Sequence, residues 1–165
     1  MIQIHPETPA KHADAIEDLF DRTFGPGHFA KTAERLREFA ISVPDISRVA
    51  LDSGKVVAVT RAWPVNVAQG GAAIFVGPVA VDPGYRGDHL GLKVTKDVLN
   101  AARRAGWPLA LLIGAPTYFG RIGFKVAPKD RFSLPGPQDY NRVMLCELSE
   151  KAANFMGAIQ VSPTR

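Results

Sequence analysis

A single cysteine, Cys146, rules out an internal disulfide, and no grouping of cysteines and histidines has zinc-site spacing. Apolar runs such as Leu109 to Ile113 fall far short of the roughly 20 residues that a membrane-spanning helix needs. The opening Met1-Ile2-Gln3-Ile4-His5-Pro6 lacks the basic and apolar regions of a signal peptide, so a cytoplasmic location is expected. Basic runs of five or more residues are missing too, as is any basic stripe interleaved with aromatics. The net charge of +4 therefore suits a small anionic ligand and gives little support to a nucleic-acid partner. Repeats, low-complexity tracts and a Pro/Gly linker are also lacking, so the chain is expected to form one domain over 1–165. Its core should span about 2–148, with a C-terminal tail at 149–165. What is present is 46% hydrophobic and 22% charged residues, enough for a buried core in 165 residues.

Ile2 and Ile4 alternate with polar neighbours as a first strand would. Thr8-Pro9 resembles a helix start, and Ile16, Leu19 and Phe20 share one face of a helix over about 9–23. Gly25-Pro26-Gly27 ends it. A second helix is expected from about Thr32 to just before Pro44, with Leu36, Phe39 and Ala40 on one face. Val49 to Leu51 and Lys55 to Val59, joined by Asp52-Ser53-Gly54, form two strands, and Ala72 to Val81 a third. Such short links favour an antiparallel meander. Gly77-Pro78 inside the third strand predicts a bulge or a local opening, because proline donates nothing to the ladder.

From Leu90 to Ala105 the apolar residues line one helical face, while Lys93, Lys96, Asp97, Asn100, Arg103 and Arg104 occupy the other. Leu109 to Ile113 follows as a buried strand, which completes a parallel crossover. A helical turn at Thr117 to Ile122, a proline-rich loop from Pro128 to Pro137 and a last strand near Val143 to Leu148 finish the pattern. The expected fold class is α/β, with an antiparallel meander and a parallel β-α-β crossover in one mixed central sheet flanked by helices.

Between strand and helix lies Val81-Asp82-Pro83-Gly84-Tyr85-Arg86-Gly87-Asp88-His89-Leu90-Gly91. A glycine-bearing loop that opens a helix presents unpaired N–H groups and the positive end of the helix dipole, a natural seat for phosphate. No Gly-Lys-Ser/Thr follows, and the glycines do not fit G-x-G-x-x-G. The segment resembles the acetyl-coenzyme A signature V-x-P-x-x-R/Q-x-x-G-x-G/A of the GNAT (Gcn5-related N-acetyltransferase) family. Val81, Pro83, Arg86 and Gly91 match, and His89 stands where the family has its first glycine. Tyr118-Phe119-Gly120-Arg121-Ile122-Gly123-Phe124 is similar to the Y-x-R-x-G-F segment of the same family, in the spacing of its branch of predicted small N-acetyltransferases.

That resemblance implies acetyl-coenzyme A as cosubstrate and no metal. Pantetheine would pair with the backbone at Val79, Ala80 and Val81, and the pyrophosphate would rest on Arg86, Gly87, Asp88, His89, Leu90 and Gly91. Tyr118 would protonate the leaving thiolate, unless it is only a packing tyrosine. Arg86 could instead pair with Asp82 or Asp88, and Arg121 is expected to fix its own turn. The acceptor would be an amine on a small molecule or a protein, with no nucleic-acid or membrane partner and a homodimer left open. The central strand carries no carboxylate, so the general base is open between His28 and Glu34, which belong to the region lining the acceptor site in the family. The rival reading is a non-catalytic acyl-coenzyme A sensor. Cys146 is expected to be a buried strand residue.

Overall fold

Alternating apolar residues start the chain as strand β1 (Ile2–Pro6), and Pro9 opens helix α1 (Pro9–Phe24). Proline suits a first helical position because its missing N–H would have no partner there. The Thr8 carbonyl accepts the first bonds, from Lys11 and His12, and His12 Nδ1 accepts the Thr8 N–H at 3.0 Å. The computed structural model describes residues 1–24 and 42–162. The helix expected from Thr32 and both base candidates, His28 and Glu34, lie outside the described residues.

β2 (Arg48–Asp52) and β3 (Lys55–Gln69) are joined by Ser53 and Gly54, both at positive φ, as a tight hairpin turn requires. β3 does not stop at Val59, where its sequence pattern fades, but continues through Pro64. The reason lies in its outer edge. β2 pairs with β3 as far as Thr60, and a later strand takes over from Val65. In the gap, the Ala62 N–H donates to Ser47 Oγ at 3.0 Å and its carbonyl accepts from Val43 at 2.8 Å. The Pro64 carbonyl accepts the Ser162 N–H on that same edge, so the position without a donor falls where no strand asks for one.

β4 (Gly71–Val81) pairs antiparallel with β3, and α2 (Leu90–Arg104) carries the chain over to β5 (Leu109–Ile113), parallel to β4. α3 (Pro116–Phe119) and a 3-10 turn at Gly120–Ile122 lead to β6 (Lys125–Val126), β7 (Phe132–Ser133) and β8 (Val143–Glu147). The expected tail is not a tail. Residues 150–154 form a 3-10 turn, and β9 (Met156–Val161) pairs antiparallel with β3 and parallel with β7. Nor is the proline-rich loop featureless, because it supplies β7. The sheet order is β1-β2-β3-β4-β5-β8-β6, with β9 alongside β3.

The apolar stripe of α2, with Leu92, Val98 and Leu99, packs on Ile74, Val76, Leu112 and Met144. Phe75, Leu111, Leu145 and Ile159 form a second cluster, and α1 covers Val49, Val59 and Ala80 with Ile16, Leu19 and Phe20. Asp97, on the polar face of α2 as expected, accepts from buried Arg48 Nε at 2.6 Å. Cys146 is buried in β8, and burial pushes its thiol pKa up.

Candidate active site

The bulge predicted at Gly77-Pro78 is present. Thr60 pairs with Val79 and Ala62 with Val76, so two residues of β4 oppose Arg61 alone. Side chains alternate across a strand, and one extra residue reverses the alternation. Before the bulge Ile74 and Val76 face α2. After it Val79 and Val81 do, while Ala80 turns to α1. The indole N–H of Trp63 donates to the Gly77 carbonyl at 2.6 Å and pins the bulge in place. The parallel pairing of β4 with β5 ends at Val76 and Leu112. Beyond that point β5 gives way to Gly114 and α3, and the two strands separate around a cleft of about 660 Å³.

The loop after β4 is fixed at several points. Asp82 Oδ1 accepts the Gly84 N–H at 3.0 Å, while Oδ2 receives Arg22 at 3.2 Å and lies 3.7 Å from Lys55 Nζ. The Gly84 bond and then Arg22 hold the Asp82 carboxyl below its ordinary range. The Tyr85 hydroxyl donates to Asp52, which lowers the Asp52 pKa and raises that of the phenol. Arg86 makes neither of the ion pairs considered for it, because Asp82 is engaged by Arg22 and Lys55.

His89 precedes α2 in the left-handed region, at φ 56° and ψ 31°, and its side chain does not cap the helix. The first backbone bond at this helix start runs from Lys93 to the His89 carbonyl. The N–H groups of Leu90, Gly91 and Leu92 therefore precede the intrahelical ladder, at the positive end of the dipole. Arg121 does more than brace its own turn. Its Nη1 lies 3.4 Å from His89 Nδ1, which adds a cation beside the helix start.

Gly91 fits this corner because a side chain would not. A Cβ there would lie 2.8 Å from the Tyr118 hydroxyl and 3.3 Å from both Val79 Cγ1 and Val81 Cγ2. Tyr118 is half-buried, with its ring edge-to-face against Phe119 at 4.9 Å. Among the described residues its hydroxyl has no hydrogen-bond partner. Val79, Val81, Arg86, Gly87, His89, Leu90, Gly91 and Tyr118 thus share one cleft. Ala80 does not reach it, because the bulge sends its side chain to the α1 face. Asp88 lies instead in a second, smaller pocket beside Ile2, Tyr85 and Lys93.

Residues 6–127 match the family model of the acetyltransferase (GNAT) domain. The chain belongs to the GNAT family. It is 29% identical over 145 residues to the uncharacterized N-acetyltransferase YhbS of Escherichia coli K12, covering 86% of this chain and 85% of that protein. The crystal structure of Escherichia coli YhbS in complex with coenzyme A superposes with a TM-score of 0.80 at 25% identity, over 98% of this chain and 89% of that one. A GNAT acetyltransferase from Brucella melitensis in complex with acetyl-coenzyme A shares the fold, with a TM-score of 0.66 at 23% identity over 98% and 96% of the two chains.

Sequence reasoning about this GNAT chain missed part of the cleft wall. Thr23 and Phe24 at the end of α1, Gly114 and Ala115 after β5, and Arg142 also line it. Arg142 sits in a polar stretch before β8 with nothing local to single it out. Only the bond from the Gly114 N–H to its carbonyl, at 3.0 Å, brings it to the cleft. Among the described lining residues there is no Asp or Glu. No group of three or more described His, Cys, Asp or Glu residues could hold a metal ion, and no described helix is long and apolar enough to cross a membrane.

Proposed function

We propose that this GNAT protein transfers the acetyl group of acetyl-coenzyme A to a primary amine by direct attack, as a single domain in the cytoplasm. The observation that carries the reading is that one cleft joins the separated edge of β4, the uncapped start of α2 and the unpartnered hydroxyl of Tyr118. A pantetheine arm fits along Val79 to Val81 as an added strand. A pyrophosphate fits the loop from Gly87 to Gly91 beside the free N–H groups that open α2, with the Arg86 and Arg121 guanidiniums nearby as cations. Acetyl-coenzyme A would supply the thioester whose carbonyl carbon the amine attacks as the carbon–sulfur bond breaks. The backbone N–H near Val79 would receive the charge that develops on the carbonyl oxygen. Tyr118 would give its proton to the departing sulfur, and the amine proton leaves to water or a base.

Coenzyme A at about a hundredfold its dissociation constant should add ~2.7 kcal/mol of stability, a melting shift of roughly 5–10 °C at this size. No shift at millimolar coenzyme A overturns the cofactor assignment. Tyr118→Phe keeps the ring and removes the donor, so turnover should fall by about 10²–10⁴ with little change in the Michaelis constant for acetyl-coenzyme A. Unchanged turnover, with chemistry rate-limiting, would make Tyr118 a packing residue. A second reading draws on the lack of a carboxylate among the described cleft residues: an acyl-coenzyme A sensor without a base. Coenzyme A binding without amine-accelerated thiol release would favour it.

A further inference from the structure

Among the described residues that line the cleft, Arg142 is the arginine that neither the phosphate loop nor the chemistry above uses. Its backbone is fixed at both ends: its N–H donates to the Asp139 carbonyl at 3.0 Å, and its carbonyl accepts from Gly114 at 3.0 Å. Its side chain is exposed, and among the described residues no carboxylate lies within ion-pair distance of it. An arginine next to Gly114 on the cleft wall, in an ion pair with no described carboxylate, is a ready partner for an anion.

The sheet register separates this cation from the coenzyme. Val76 pairs with Leu112, so Gly114 and Arg142 stand level with the bulge at Gly77-Pro78. The phosphate loop begins only after Val81, about 13 Å further along β4 at one strand step per residue. A pantetheine arm lying from the loop towards the bulge presents its thioester between the two cationic ends. The Arg142 end is then the side from which the amine arrives. Arg142 at that end also disfavours an acceptor that carries several positive charges.

We propose that Arg142 selects the acceptor: the substrate amine carries a carboxylate or phosphate that this guanidinium binds, and polyamines are excluded. The proposal rests on the acetyltransferase reading above. Its test uses matched pairs at fixed acetyl-coenzyme A, with thiol release as the readout. One arm compares α-amino acids with their carboxamides, a second compares aminoethyl phosphate with ethanolamine, and spermidine serves as the cationic control. A charge-assisted contact should give one anionic class a kcat/KM roughly 10- to 100-fold above its neutral partner, and the arm that responds identifies carboxylate or phosphate. Arg142→Met should erase that ratio mainly through the acceptor KM, and Arg142→Lys should restore part of it. The melting shift with coenzyme A, measured on each variant, reports folding and cofactor binding separately. Loss of that shift in the parent protein sinks the acetyltransferase reading itself. A retained shift with equal kcat/KM within every pair, or with acetylation of spermidine alone, overturns the role of Arg142; a retained shift with no acetylation of any member favours the sensor and overturns the transferase reading on which that role rests.

Discussion

Replacing His89 by glycine should leave the protein at least as stable, although it deletes a side chain. His89 is held at φ 56° and ψ 31° by the turn from the phosphate loop into α2. An L-residue loses roughly 1–2 kcal/mol in that conformation, through crowding of its Cβ against the following carbonyl. Histidine is among the residues that tolerate the region better, so the lower end applies. Against this gain, glycine gives the unfolded chain extra freedom, which costs about 0.4–1 kcal/mol. The contact with Arg121 is long, exposed and between two nitrogen groups, and its loss should matter little. The net gain is then small, about 0–0.6 kcal/mol, or at most about 2 °C in melting temperature for a chain of this length. Urea and thermal unfolding of the parent, His89→Gly and His89→Ala would measure it. Alanine keeps the Cβ and should be no more stable than the parent. A glycine variant clearly less stable than the parent, or an alanine variant at least as stable as the glycine one, would refute the argument from backbone conformation.

Gly91→Ala should improve helix propensity yet destabilise the protein by about 1–2 kcal/mol, since its Cβ would sit 2.8 Å from the Tyr118 hydroxyl. Combining it with Tyr118→Phe should recover at least ~0.5 kcal/mol in a double-mutant cycle of unfolding energies, because the atom in the way is gone. Trp63→Phe removes the bond that pins the Gly77 carbonyl and should cost about 1–1.5 kcal/mol by urea titration, with weakened coenzyme A binding measured by calorimetry. Burial, ahead of the opposing pull of Glu7, holds the His12 imidazole below its ordinary pKa, with Lys11 and His5 acting in the same direction as burial. The unfolded chain therefore takes up the proton first. The His12 contribution to stability is complete above pH ~6.5 and is lost as pH falls towards the lower folded value. The urea midpoints of the parent and His12→Gln should accordingly converge between pH 8 and pH 5.5.

Much of this fold could be read in the sequence because local signals agreed with tertiary ones. The apolar stripe of α2 and the continuous run of β5 needed no context, and Gly77-Pro78 announced its own irregularity. What escaped depended on partners distant in the chain. β3 continues past Val59 because Val43 and Ser47 satisfy Ala62 and because Pro64 falls in a gap between partner strands. β9 holds no long alternating pattern, and it forms because the outer edge of β3 from Val65 to Gln69 offers it a ladder. Arg131 braces the approach with bonds to the Ala152 and Phe155 carbonyls at 2.7 and 2.9 Å. In the site, the contiguous motifs led to residues of one cleft wall, among them Val79, Arg86, Gly91 and Tyr118, while Ala80 and Asp88 lie off that wall. Arg142 and Thr23 belong to no motif and reach the cleft only through sheet order and the end of α1.

The extra residue opposite Arg61 lets β4 take three steps where β3 takes two without either strand changing face: Val76 and Val79 both lie with Ala62 on the α2 side. Deleting either Gly77 or Pro78 would leave a regular ladder in the same register, so Val79 and Val81 would still face α2 and Ala80 α1. What would go is the bend itself, at the point where β4 parts from β5 and the cleft opens. A residue gained or lost at the Gly70-Gly71 turn, or between Pro135 and Asp139, changes no side chain's face in the cleft. Length changes in this chain should therefore be absorbed at those surface turns, while the two-residue interruption in β4 keeps its count.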